Sequence, residues 1–404
     1  MSEEISVPDN VKEFINDLVK KCNLNPSAKI IYNPGSEIGD GFMSKTYTVD
    51  INDSEQSLNV FLKCALDINI PGMPTPVQIY SNEIYFYESV VPKYMEFLEE
   101  KSITDGFRNV PRYYGSAENK ILALENLRKT GYELCDKTFV GNEEHIELVF
   151  KTFAKYHAIG FAYKDQKPDE YQKILEGATD LMRGTSEELD EQKVEVIKVT
   201  MQDFLKKLDP RKDKFILGQS QYILDRLIEF GVGAGIEAYA NPILTQGDCW
   251  CNNMMFKYDG DKRYPLDLLL LDWQALRPGS PVLDLSYFFY TTAAVSKNVL
   301  RKLDDFLEIY HEELSKHIKK MGSNPDALYS LSVLKDEWHK FSKFGFSMAT
   351  VILKVMLGEK GKMPNLEKAN KLSDENLFSV LTNETEYLNR MKNLTEHLLL
   401  SEFF

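Results

Sequence analysis

Cysteine is scarce in this chain. Cys22, Cys64, Cys135, Cys249 and Cys251 are five among 404 residues, odd in number and scattered apart from Cys249-Trp-Cys251. This excludes a disulfide framework, and two soft ligands without a second pair exclude a structural zinc. Long apolar runs are missing as well, none approaching the ~20 residues that a membrane-spanning helix needs. The N-terminal Met1-Ser-Glu-Glu-Ile-Ser-Val-Pro8 has neither the basic nor the apolar segment of a secretory signal. The expectation is a cytoplasmic protein without a membrane span, in which the sequons at Asn52 and Asn393 carry no weight. An excess of positive charge is also absent: 48 Lys and Arg face 62 Asp and Glu, a net charge of -14 that excludes electrostatic capture of nucleic acid or anionic membrane. No internal repeat or low-complexity tract is found. What is present, 43% hydrophobic and 12% aromatic residues, suffices for a large core and two packed units.

From Lys29 to Lys63, turn residues alternate with β-branched and aromatic ones, which predicts a short antiparallel sheet. Asp67 to Ser81, with Pro71, Gly72, Pro74 and Pro76, is expected to be a loop. A helix is expected over Asn82–Val91, ended by Pro92, and further strands at Arg112–Tyr114 and Lys120–Leu127. After Lys129-Thr-Gly131 the pattern turns helical, over Ile146–Ala162, Val194–Leu208, Ile223–Phe230, Asn298–Lys320, Ser332–Leu357 and Asn376–Leu400. Among these helices lie only the apolar strands near Met254–Phe256 and Leu266–Leu271. The expected division is an N-terminal lobe, residues 1–127, and a helical C-terminal lobe, residues 128–404.

The informative segment is Thr245-Gln-Gly-Asp-Cys-Trp-Cys-Asn-Asn-Met-Met-Phe256, followed by Leu268-Leu-Leu-Leu-Asp-Trp-Gln274. In kinase chemistry one Asp accepts the proton of an attacking hydroxyl, an Asn five residues later holds Mg²⁺, and a second Asp after a buried strand bridges metal and phosphates. Asp248, Asn253 and Asp272 match those roles, with Asn252 as the alternative amide. Each taken alone could simply serve a turn; together they form the expected catalytic set.

Transfer of a phosphoryl group from ATP also needs the phosphates to be held. Lys63, in the apolar strand Val60-Phe-Leu-Lys-Cys-Ala65, needs an anionic partner, expected to be ATP phosphate together with a carboxylate. Glu83 is the first choice for that carboxylate and Glu88 the second. Gly39 and Gly41 could bring backbone N–H groups over the phosphates or could form an ordinary hairpin turn. Glu125 and Leu127, at a strand end, could offer main-chain groups to adenine. Asp284 is expected to cap a helix or brace the loop of Asp248, and His157 to be a hydrogen-bonded core residue.

The order Lys63, Glu83, Glu125-Asn-Leu127, His157, Gln246-Gly-Asp248, Asn253, Asp272 and Asp284, with Trp250-Cys-Asn-Asn253, resembles the ecdysteroid kinase-like family. The resemblance runs over nearly the whole chain. It implies an α+β, two-lobed protein-kinase-like fold shared with choline and aminoglycoside phosphotransferases, ATP and Mg²⁺ as cofactors, and a small-molecule hydroxyl acceptor. In characterised members that acceptor is a steroid hormone of insects, so an ecdysteroid or a similar lipophilic alcohol is implied. Carried over, Asp248 is the base, Asn253 and Asp272 hold metal, and Lys63 with Glu83 positions phosphate. One position departs: the family's His before Gly-Asp is Gln246, which keeps a donor and an acceptor.

Three rival readings bear comparison. A protein kinase would need a phosphorylatable segment after Asp272-Trp-Gln274, and the short step to the next helix leaves no room for one. A catalytically silent nucleotide- or sterol-binding protein is compatible with Gln246, as is a kinase for choline-type or xenobiotic alcohols. Aromatic residues in Tyr287–Tyr290 and Trp338–Phe346 could wall an acceptor pocket or pack as helical core.

Overall fold

Residues 5–35, 44–53, 56–66, 74–135, 142–181, 187–230, 239–358 and 383–401 are described by the structure, a computed structural model. Five strands, β1 (Lys29–Pro34), β2 (Ser44–Asn52), β3 (Ser57–Ala65), β4 (Tyr113–Ala117) and β5 (Ile121–Glu125), form an antiparallel sheet in the order β1-β2-β3-β5-β4. Period-two alternation sets its faces: Tyr47, Val49 and Ile51 of β2 and Val60, Leu62 and Cys64 of β3 are buried on one side. Helix α1 (Asp9–Lys21), not anticipated from the sequence, covers that face with Val11, Ile15, Leu18 and Val19. Lys63 alternates onto the opposite face, between Thr46 and Leu122 in register.

Of the expected loop, residues 67–73 lie outside the described residues, and Pro76 to Ser81 are helical. Helix α2 (Pro76–Tyr85) begins at Pro76, because Thr75 closes a capping box with Gln78 and proline at the first helical position forfeits only an N–H that has no partner there. Nor does the helix end at Pro92. A π-helical turn at Phe86–Val90 carries the chain into α3 (Val91–Glu100), with Pro92 in its first turn.

The rest of the chain is mainly helical. Strand β6 (Tyr132–Leu134) leads to α4 (Glu143–Gln166), α5 (Pro168–Glu176), α6 (Glu187–Lys206), α7 (Lys214–Gly218) and α8 (Ser220–Phe230). Strands β7 (Ile243–Thr245), β8 (Met254–Tyr258), β9 (Pro265–Leu270) and β10 (Arg277–Gly279) follow, pairing as β10-β7 and β6-β8-β9. Next come α9 (Pro281–Ala293), α10 (Lys297–Leu300), α11 (Leu303–Lys320), α12 (Pro325–Leu328), α13 (Leu331–Phe341), α14 (Lys343–Met356) and α15 (Glu384–Leu400). The runs read as single helices over Asn298–Lys320 and Ser332–Leu357 are each two helices, interrupted at Arg301–Lys302 and at Ser342. Residues 376–382 of the last expected helix lie outside the described residues.

One hydrophobic core runs from α2 and α3 into the helical body, where α4 is buried along most of its length. Phe86, in the π turn, stacks on Trp273 with centroids 3.6 Å apart and planes 7° from parallel, and Trp273 is fully buried. This contact joins the helix next to the sheet to the residue following Asp272. The aromatic residues Phe288, Phe289, Tyr290 and Trp338 also belong to this core. Among the described residues no helix is long and apolar enough to cross a membrane.

Candidate active site

Strand β7 delivers the chain to Gln246-Gly-Asp248. Gly247 adopts a φ of +86°, and a Cβ there would stand 2.1 Å from the carbonyl oxygen of Ala275, so the turn demands glycine. Asp284, fully buried in the first turn of α9, accepts the main-chain N–H groups of Gln246 (2.8 Å) and Gly247 (3.0 Å). His157 lies 3.2 Å from the same carboxylate and 2.9 Å from the Tyr310 hydroxyl. Of the two roles open to Asp284, it therefore braces the loop; the cap of α9 is Ser280, whose hydroxyl accepts from Val282.

The Asp248 carboxylate is held at both oxygens. Oδ2 accepts from the Asn253 amide at 2.7 Å, and Oδ1 from the Tyr287 hydroxyl at 2.9 Å. Burial pushes Asp248 up to about 6, nearby Asp272 adds to this, and hydrogen bonds from Tyr287, Asn253 and Trp250 oppose it. Asn253 spends its amide nitrogen on Asp248, which leaves its Oδ1 as the end suited to a cation. Asn252 lines the same cleft without that tie.

Asp272 sits at the end of the β9 run with a φ of +56°, a left-handed conformation that a non-glycine residue holds only when its surroundings enforce it. They do so through hydrogen bonds. Gln246 Nε2 donates to the carbonyls of Leu271 and Asp272, both at 2.9 Å, while Gln246 Oε1 accepts from Asp248 N at 2.9 Å and from the Cys249 thiol. The Leu271 N–H donates to the Asn253 carbonyl at 2.9 Å. The two carboxylate loops are thus stitched into one unit.

Lys63 reaches across to this unit, donating to Glu83 at 2.6 Å and to Asp272 at 3.0 Å. Burial would lower the ammonium's pKa, but Asp272 and Glu83 outweigh it and keep Lys63 charged. Burial pushes Glu83 upward, with the charge of Lys63 pulling against it. Glu88 is engaged elsewhere, by Tyr113 and Ser116. Lys63, Glu83, Asp248, Asn253 and Asp272 line one cleft together with Glu125 and Leu127, and Phe61, Leu124, Met255 and Leu271 supply apolar walls. Gly39 and Gly41 lie outside the described residues.

Two residues of the site escaped the sequence reading. Tyr287 stood only among possible pocket aromatics. Asn82, next to Glu83 and 1% exposed, donates to the carbonyls of Thr179, Gln274 and Leu276 and accepts from Thr179 N, so α2 grips the chain just beyond Asp272. No pattern signals this, because its partners are main-chain atoms. Among the described residues no three His, Cys, Asp or Glu side chains gather around a metal position. An amide oxygen and a carboxylate fit a hard cation that draws its other ligands from phosphate and water.

A small antiparallel sheet over a mainly helical body, with this cleft, defines a kinase-like protein of the small-molecule type. The chain belongs to the ecdysteroid kinase-like family, whose sequence profile matches residues 38–323. Comparison with curated proteins gives no match. Among solved structures, it is similar to a choline kinase from Cryptosporidium parvum (11% identity, TM-score 0.42, covering 96% of this chain and 98% of that one). It is also similar to an ethanolamine kinase from Plasmodium vivax (12%, 0.41, 87% and 89%) and to an aminoglycoside 2'-phosphotransferase-IIIa (13%, 0.41, 84% and 97%).

Proposed function

We propose that this protein is an ATP-dependent kinase that transfers the γ-phosphoryl group to a hydroxyl of an ecdysteroid or a similar lipophilic alcohol. The observation that carries the reading is the convergence of Lys63, Asp248, Asn253 and Asp272 on one cleft, although Lys63 and Asp272 are 209 positions apart in the chain. In this reading residues 1–127 form the nucleotide-binding lobe, and residues 128–404 the catalytic and acceptor lobe.

Asp248, fixed by Asn253 and Tyr287, accepts the proton of the acceptor hydroxyl. Lys63, oriented by Glu83, positions phosphate, and Asn253 and Asp272 would hold Mg²⁺. When bound, Mg²⁺-ATP supplies the transferable phosphoryl group and the ion that neutralises its charge. Glu125 and Leu127 present main-chain groups to adenine within the apolar slot. The four side-chain hydrogen bonds of Gln246 hold the loop geometry, which supports an active enzyme over a silent binder. Family membership supports the ecdysteroid class of acceptor.

The test is incubation of the purified chain and Mg²⁺-ATP with ecdysteroids, other lipophilic alcohols and choline-type alcohols, reading phosphate mass gain. Asp248→Asn should lower turnover by about 10²–10⁴-fold with ATP affinity kept. ATP binding without turnover on any acceptor would favour the silent reading.

A further inference from the structure

We infer that Tyr287 is a positioning residue for Asp248, and that helix α14, which lies beyond the part of the chain matched by the family, sets where Tyr287 stands. This rests on the kinase reading of Asp248. A carboxylate held at one oxygen can still turn about its Cβ–Cγ bond. Here Asn253 donates at Oδ2 and Tyr287 at Oδ1, with a further side-chain hydrogen bond from Trp250, so its plane is fixed while a lone pair is left for an incoming hydroxyl.

Tyr287 is fully buried, and its bond to Asp248 is the hydrogen bond its hydroxyl makes among the described residues. Burial foremost, and then the charge of Asp248, keep the phenol protonated, so that it remains a donor. Its ring is placed from α14. Phe344 meets it edge-on, centroids 6.2 Å apart and planes at 87°, and the Arg277 guanidinium covers the Phe344 ring at 4.9 Å. The next residue, Gly345, lets α14 lie against α9: a Cβ there would stand 2.3 Å from the main-chain carbon of Ser286 and 2.4 Å from its oxygen. Gly345 on Ser286, Phe344 on Tyr287, and Tyr287 on Asp248 form a continuous series of contacts ending at the base.

Tyr287→Phe removes one hydroxyl and leaves the ring. In protein labelled with ¹³C at the aspartate carboxyl carbon, the Asp248 resonance is identified by its loss in Asp248→Asn. Tyr287→Phe is expected to move that resonance, and Phe344→Leu to move it in the same direction by less. Turnover of Mg²⁺-ATP should fall about tenfold to a hundredfold in Tyr287→Phe, with ATP affinity and melting temperature nearly unchanged. An Asp248 resonance that stays in place in Tyr287→Phe overturns the role of Tyr287; one that moves there but not in Phe344→Leu overturns the role of α14. A wild-type protein without any ATP turnover counts against the kinase reading instead, and the resonance still decides the inference.

Discussion

Gln246 donates its side-chain amide to the main-chain carbonyl of Asp272 at 2.9 Å, binding the loop of the proposed base to the loop of the proposed metal ligand. The same side chain accepts the Asp248 N–H, so one buried glutamine registers both carboxylates. Gln246→Leu should therefore take this partner from three part-buried main-chain groups, the Asp248 N–H and the Leu271 and Asp272 carbonyls, and cost at least about 3 kcal/mol, at about 1–3 kcal/mol for each group. Gln246→Glu keeps the acceptor but sets a carboxylate against two carbonyl oxygens, and should be no better. Denaturant unfolding measures the first effect, and the loss of turnover in both variants shows the second.

Lys63 and Glu83 form a pair whose carboxylate is 1% exposed. Lys63→Met strips Glu83 of its partner, which for a buried pair costs about 3–5 kcal/mol. The double variant Lys63→Met, Glu83→Gln should recover part of this stability, because the fully buried carboxylate is gone and only the part-exposed Asp272 still lacks its Lys63 partner, while nucleotide affinity stays low. A double-mutant cycle by chemical denaturation, combined with ATP titration, separates the two effects.

Trp273→Ala should cost roughly 3–5 kcal/mol, since a fully buried indole stacked on Phe86 leaves a cavity that its neighbours fill only in part. It also removes the anchor beside Asp272, so turnover should fall even at temperatures where the variant remains folded. Thermal unfolding and kinetics on the same preparation check both expectations.

Acid should unfold this protein partly through its histidines. Burial pushes both His145 and His397 down to about 4 from an ordinary value of 6.5. Below pH 6.5 the unfolded chain takes up protons that the folded chain accepts only near pH 4. The stability due to these neutral imidazoles is thus fully present above pH 6.5 and is lost as the pH falls from 6.5 to 4. Melting temperature followed over that window should drop, and His397→Asn should flatten the slope.

Much of the site was legible because its parts are local. Asp248 and Asn253 are five residues apart in one loop, and their hydrogen bond is the tertiary form of that spacing. Asp272 could be recognised at the end of an apolar run, where a carboxylate has few structural reasons to be. Lys63 betrayed itself in the same way, as a charge inside a strand of buried residue types. The bounds of α2 are less readable: proline signals a loop by composition, whereas beside Thr75 and Gln78 it starts a helix. The π turn before Pro92 had no signal, because widening by one residue leaves the apolar pattern almost intact.

The residue types that the chemistry needs, and their spacing within each segment, can be read from the amino acids alone, since loop length and strand periodicity are local properties of the chain. Packing in three dimensions is what makes Glu83, and not Glu88, face Lys63, what makes Asn253 rather than Asn252 grip Asp248, and what lets Gln246, Asn82 and Tyr287 hold the site together. These choices depend on which way a helix or loop turns when packed, and on partners that are mostly main-chain atoms, present at every residue and therefore invisible in any pattern of side chains.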